Sequence, residues 1–206
     1  MMQDLLQETA DGVVLTHVVE NLKDFKKPNH AAAIWRRPEV PSFLTWIDNL
    51  SPNKLPSARL VLKPQNVTSA LQQVFNEAAT PDVPHRKNLI EDIAELGSVF
   101  SKVMRAPLVR IRLDRVTDNA CRKFHIDSIL ARLVCTYRGT GTQYGMSADG
   151  GDPERVFTVP TGDPILMRGT RWPDKTTCNL LHRSPPIEGS KETRLVLVID
   201  PIFDVD

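Results

Sequence analysis

The hydrophobic period changes at Pro107, and that change limits the folds open to the chain. Before it, HRKNLIEDIAELGSVFSKVMRA sets Leu89, Ile90, Ile93, Leu96, Phe100 and Val103 at helical spacing, the stripe of a helix that buries one face. After it, Val109, Ile111 and Leu113 alternate with Arg110, Arg112 and Asp114, the pattern of a strand with one apolar and one polar face. Further strands are expected at Cys121 to Asp127, Ala131 to Arg138, Val156 to Val159, Pro164 to Arg168, Thr177 to His182 and Thr193 to Asp200. Turn-rich pieces such as GTGTQYG, SADGGDPE and SPPIEGSKE separate them. Short strands in close succession, with no helices between them, fold as an antiparallel sandwich or barrel.

The region upstream is of another kind. A short strand is expected at Gly12 to Val19, and NVTSALQQVFNEAA reads as a helix. Between them Pro38, Pro41, Pro52, Pro56 and Pro64 limit the chain to short pieces, which Trp35, Phe43 and Trp46 would pin to a core. The reading is an α+β protein in which residues 1–206 form a single domain. Residues 1–106 are a helical and irregular support region, and residues 107–206 are the β core.

Charge argues against one class of ligand. Lys and Arg number 26 against 25 Asp and Glu, a net charge of +1, and the basic residues are dispersed, so the footprint of a phosphate-backbone binder is missing and no nucleic-acid partner is expected. The opening MMQDLLQETADGVV lacks a basic segment followed by an apolar one, and no apolar run approaches a membrane-spanning length. Cys121, Cys135 and Cys178 are odd in number and form no C-x-x-C. That fits free thiols in a reducing compartment, and a cytoplasmic location is expected.

The segment FHIDSILARLVCTYRG carries the first candidate chemistry. On a strand, His125 and Asp127 would share a face about 6.6 Å apart and could converge on one cation, whereas a helix would turn them about 200° apart. A third ligand is expected from another strand. Of His17, His30, His85 and His182, only His182 stands on a predicted strand of the β region. Two histidines and one carboxylate make the facial triad of non-haem Fe(II) sites, which leaves three positions open.

Arg194 follows 12 positions after His182, beyond a turn-forming stretch. If the chain doubles back there, its guanidinium can offer a bidentate fork to a carboxylate near the metal, as a dicarboxylate cosubstrate would require. Tyr137, on the strand after His125-x-Asp127, could add a hydroxyl to the same carboxylate, although a buried tyrosine with a satisfied hydroxyl is the commoner role.

Two other patterns compete. Cys121-x3-His125 and Cys178-x3-His182 together supply the donors of a structural zinc site, but residues four apart on a strand are separated by about 13 Å, so both segments would have to bend. Arg168, Trp172 and Asp174 in MRGTRWPDK could line a substrate mouth or form a turn packed by one tryptophan. GTGTQYG and DGG match neither the phosphate-binding loop nor the dinucleotide fingerprint and read as turns.

His125-x-Asp127, His182 and Arg194, ordered along a series of short strands, resemble the 2-oxoglutarate and Fe(II)-dependent oxygenase superfamily, whose fold is a double-stranded β-helix, or jelly roll. More closely, AIWRRP, FHID, CTYRGTGTQY, LMRGTRWP and LLHRSPPI resemble a bacterial family known as domain of unknown function 1826, over Ala33 to Asp200. The resemblance implies that His125, Asp127 and His182 hold Fe(II) and that Arg194, helped by Tyr137, binds the distal carboxylate of 2-oxoglutarate. Many superfamily members carry serine or threonine two residues after that arginine, where this chain has Val196, so Arg183 and Arg132 stand as alternative carboxylate partners. The implied reaction is hydroxylation or demethylation of an unknown substrate, with a link to zinc homeostasis. The alternative is a metal- or small-molecule-binding module of the same fold without catalysis.

Overall fold

The computed structural model describes residues 9–37, 39–147, 149–173 and 179–204. Among these residues the ten strands are β1 (Val13–Thr16), β2 (Ala32–Trp35), β3 (Ala58–Leu62), β4 (Leu108–Val116), β5 (Ala131–Arg138), β6 (Gln143–Met146), β7 (Phe157–Thr158), β8 (Pro164–Arg168), β9 (Leu180–Arg183) and β10 (Arg194–Ile202). Three α-helices precede the β-rich part: α1 (Phe43–Asp48), α2 (Val67–Glu77) and α3 (Pro84–Met104).

Seven strands form one sheet in the order β1-β2-β8-β5-β10-β4-β3, and three form a second in the order β7-β6-β9. Among the described residues only β1 and β2 run parallel; every other pair is antiparallel. Three strands of the large sheet come from before Pro107. The protein is an α+β double-stranded β-helix, with the helices on one face of the large sheet and the small sheet against the other.

Strand alternation divides the core between these two faces. Val109, Ile111 and Leu113 of β4, Leu133 and Cys135 of β5, and Leu195, Leu197 and Ile199 of β10 join Leu71 and Phe75 of α2 and Leu89, Ile93, Leu96 and Phe100 of α3 in the larger cluster. The intervening residues Val134, Val196 and Val198 pack in a second cluster with Tyr144 of β6 and Leu180 of β9. A period of two on each strand thus builds two cores, and the polar residues of the second face are available to a site between the sheets. Helix α3 starts with proline in its first turn and ends where Arg105 takes a left-handed conformation, φ 55°.

Three strands lie where no strand was expected. β2 is short and apolar throughout, because it is buried on both faces. β3 keeps a period of two between Pro56 and Pro64, on the edge of the sheet where flanking prolines cost no ladder hydrogen bond. β6 lies in the glycine-rich stretch read as a turn; a Cβ on Gly145 would stand 2.4 Å from the Arg155 carbonyl oxygen, so glycine admits the neighbouring chain at close range. Conversely, Cys121 to Asp127 is not a strand. It makes one isolated bridge, His125 with His182, because the charged stretch around Arg122 and Lys123 has no apolar face to register against β9. Residues 177 and 178 of the strand expected at Thr177 to His182 lie outside the described residues; β9 covers the rest from Leu180.

Candidate metal centre

The site is organised by that isolated bridge. The backbone N–H of His125 donates to His182 O and the N–H of His182 donates to His125 O, each at 3.0 Å. Directly opposed residues project their side chains to the same side, and here the two ring centroids are 4.5 Å apart. His182 faces inward from β9, with Leu180 before it in the core.

Asp127 comes to the same point from a loop. Its carbonyl accepts from Thr170 N–H at 2.9 Å and that of Ile129 accepts from Arg171 N–H at 3.0 Å, which ties the segment to the chain leaving β8. Gly169 makes this approach possible, since a Cβ there would stand 2.1 Å from Ile129 O and 2.7 Å from Asp127 O. One ligand atom from each of His125, Asp127 and His182 lies within 4.8 Å of the others.

The electrostatics favour a cation-ready state. Burial pushes the Asp127 carboxyl pKa up, but attraction to His182, Arg132 and His125 outweighs it and holds the group down to about 2. His125 Nδ1 lies 2.8 Å from the Lys123 carbonyl oxygen, which can only accept; Nδ1 therefore carries a proton, and Nε2 is the nitrogen turned toward Asp127, 3.6 Å from Oδ1. Asp127 Oδ2 is buried 2.7 Å from an Arg132 terminal nitrogen and 3.1 Å from His182 Nε2, yet neither contact has the angles of a hydrogen bond. An enclosed carboxylate oxygen without an aligned donor beside two imidazoles is a donor set that fits a divalent cation of the iron type. Cys121 is not part of this group; Cys178, the other thiol of the zinc pattern, and Asp174 lie outside the described residues.

A cavity of about 390 Å³ opens over these residues. Arg112, Asp114 and Val116 of β4, Val134 of β5, Val196 and Val198 of β10, and Arg183 and Ser184 after His182 line it. Arg194, 1% exposed, donates to Ser184, one of the lining residues. Its guanidinium donates to Thr140 O at 2.7 Å, Ser184 Oγ at 3.1 Å and Thr136 Oγ1 at 3.4 Å. All three acceptors are neutral. Burial lowers its pKa to about 10 against the weaker opposing pull of Glu192. A guanidinium removed from water with no carboxylate of the described residues in hydrogen-bonding reach has unused capacity for an anion.

Two of the proposed carboxylate partners are engaged elsewhere. Tyr137 is fully buried on the helix-facing side of β5, with Leu133 and Cys135, and its hydroxyl donates to Asp92 of α3 at 2.6 Å. Strand parity turns it away from the cavity, and Thr136 takes the facing position. Arg132 does face the site, but it is held in a bidentate pair with Asp200, Nε to Oδ1 at 2.7 Å and a terminal nitrogen to Oδ2 at 2.9 Å, besides its contact with Asp127. Its guanidinium is thus already paired with two carboxylates. Arg183 lines the cavity, donates to Gln143 Oε1 at 2.8 Å and stacks 4.3 Å over Phe124.

Arg168 and Trp172 form part of the packing under β8: Arg168 donates to the carbonyls of Phe25 and Lys27 and lies 4.8 Å over Trp172, whose ring meets Phe25. Asp200 and Gly169 are site-supporting residues that the sequence did not single out. Asp200 could have been suspected only by knowing that β10 lies beside β5. Arg112 and Asp114 were legible as the polar face of β4, though not as the wall of a cavity.

Two solved structures that superpose over most of this chain are dioxygenases. The dioxygenase for auxin oxidation 1 from Arabidopsis thaliana, solved as a 2-oxoglutarate binary complex, superposes with a TM-score of 0.54 at 10% identity, over 96% of this chain and 94% of that one. The dioxygenase for auxin oxidation from rice gives 0.53 at 13% identity, over 95% and 83%. The fold thus defines a double-stranded β-helix protein built like these dioxygenases. No curated protein matches the sequence. Residues 17–200 match the family described as "Protein of unknown function (DUF1826)", and the chain belongs to that family. Among the described residues no helix is long and apolar enough to cross a membrane.

Proposed function

We propose that the protein is an Fe(II)- and 2-oxoglutarate-dependent dioxygenase of the hydroxylating or demethylating type. The observation that carries this reading is the convergence of His125, Asp127 and His182 on a cavity whose lining residue Ser184 accepts from a buried arginine that has only neutral acceptors among the described residues. His125, Asp127 and His182 would hold the metal, and Arg194 would take the distal carboxylate of 2-oxoglutarate, with Thr136 and Ser184 fixing its fork. Bound iron and 2-oxoglutarate supply oxygen activation, with succinate as co-product.

The chain's own residues set the conditions for that chemistry. Lys123 O fixes the His125 tautomer, so that Nε2 is the free donor. Arg132, anchored on Asp200, holds Asp127 ionised and oriented, the outer-partner role that ligating carboxylates require. Val134, Val196 and Val198 give the cavity a dry wall that strengthens every charge interaction within it. The Val196 position, without the common hydroxyl, is compensated by Thr136 on the adjacent strand, directly paired with it. A connection to zinc homeostasis rests on the family resemblance.

Anaerobic addition of Fe(II) and 2-oxoglutarate tests the proposal. The wild type is expected to develop the weak visible charge-transfer band of a 2-oxoglutarate chelate and, on admission of oxygen, to form succinate; His125→Ala loses the band. Arg194→Gln keeps the metal and loses 2-oxoglutarate. Normal metal binding with no band in the wild type would defeat the cosubstrate and leave a metal-binding module of the same fold.

A further inference from the structure

The wall of the cavity formed by β4 carries a cation that no role above uses. Arg112 lines the cavity, and its Nε is enclosed without a hydrogen-bond partner. No hydrogen bond or ion pair joins its guanidinium to any described residue. Arg132 on the same face has Asp200 and Asp127, Arg183 has Gln143, and Arg194 has three acceptors; Arg112 has none.

Its cross-strand neighbour deepens the imbalance. β3 pairs antiparallel with β4 so that Arg59 stands directly opposite Arg112. Directly opposed side chains project to the same face, and like charges in that position repel. On the other side Arg112 pairs with Val198, and the next residue on its own face, Asp114, makes no ion pair with it. Two adjacent guanidiniums, neither ion-paired with a carboxylate of the described residues, form a fork for an oxyanion, with one arm lining the cavity and the other on the exposed Arg59 of the neighbouring strand.

We infer that Arg112, assisted by Arg59, binds an anionic group, a carboxylate or a phosphate, on a small-molecule prime substrate. This rests on the reading of the cavity as an oxygenase site and adds the substrate's chemical class to it. The anion sits toward the β3 edge, away from Asp114 and from Arg194, which pairs with Val116 four positions further along β4. The substrate's reacting carbon is thereby set between the Arg112 anchor and the His125, Asp127 and His182 group, which line the same cavity.

Calorimetric titration of inorganic phosphate and, separately, acetate into metal-loaded protein tests the inference with a readout that needs no turnover. At least one of the two should bind the wild type, and the tighter of them names the group. Arg112→Gln should weaken that binding by about tenfold or more, the loss of a charged hydrogen-bonded fork, and Arg59→Gln by less. Arg194→Gln should leave it unchanged, while 2-oxoglutarate shows the reverse pattern, lost in Arg194→Gln and retained in Arg112→Gln. Thermal unfolding of Arg112→Gln without anion should match or exceed the wild type, because one member of a repelling pair is gone. Failure of both anions to bind the wild type, or equal binding by Arg112→Gln, overturns the inference. Failure of 2-oxoglutarate to bind wild type and Arg112→Gln alike overturns the reading of the cavity instead.

Discussion

His125 and His182 exchange both of their backbone hydrogen bonds, at 3.0 Å each, and this single bridge holds their rings 4.5 Å apart. The pair is therefore positioned by backbone geometry and not by the choice of side-chain rotamer alone. His125→Ala and His182→Ala should each weaken divalent-metal binding beyond the roughly 10–100-fold typical of losing an outer partner, and leave the fold intact. Titration with Fe(II) under anaerobic conditions, alongside circular dichroism, measures both.

Arg132 is the hub between Asp200 and Asp127. Asp200 is 4% exposed, and removing its bidentate partner leaves a buried carboxylate uncompensated. Arg132→Met should destabilise the protein by about 3–5 kcal/mol in urea unfolding. It should also lower metal affinity by about 10–100-fold, because Asp127 loses its orienting cation. The double variant Arg132→Met with Asp200→Leu should recover much of the stability and none of the affinity.

Gly169 sits where the loop bearing Asp127 passes the end of β8. A Cβ there meets two carbonyl oxygens of the 127–129 segment, at 2.1 and 2.7 Å, and backbone cannot step aside as a flexible side chain would. Gly169→Ala should cost about 1–3 kcal/mol and weaken metal binding without touching any ligand. Unchanged affinity in this variant would show that Asp127 does not depend on the contact.

Acid stability follows from the depressed Asp127 pKa. The carboxyl is held near 2 in the folded protein against an ordinary value of 3.8, so its contribution is fully present above about pH 4 and lost as the pH falls toward 2. Metal-free Asp127→Asn should show a shallower fall in stability across that window than the wild type, measured by denaturant unfolding at successive pH values.

Tyr137 separates packing from chemistry. Its hydroxyl joins Asp92, which also pairs with Arg37, on the helix-facing side of the sheet. Tyr137→Phe should destabilise by about 1–3 kcal/mol and leave the 2-oxoglutarate affinity unaltered, as isothermal titration would record.

Much of this architecture was legible in the chain. The switch of period at Pro107 gave α3 and β4, and the strand candidates ARLVCTYR and TRLVLVID, bounded by turn-rich pieces, placed β5 and β10 within a residue or two of their observed ends. The shape of the site was less accessible. His125 and Asp127 reach it from a bridged loop, and the shared face of a strand was not the reason they meet. Tyr137 and Thr136 differ by one position, and the pleat sends the tyrosine to α3 and the threonine to Arg194.

The sequence by itself determined which residues alternate, where helices give way to strands, and which side chains could ligate a metal or hold a carboxylate, because these depend on spacing within one segment. Tertiary structure alone decided that Arg132 meets Asp200, that Arg194 has only neutral acceptors, and that Arg112 faces Arg59. Each of these is set by the register between strands far apart in the chain. That register is fixed by burial of whole faces against α2, α3 and the small sheet, which no local pattern encodes.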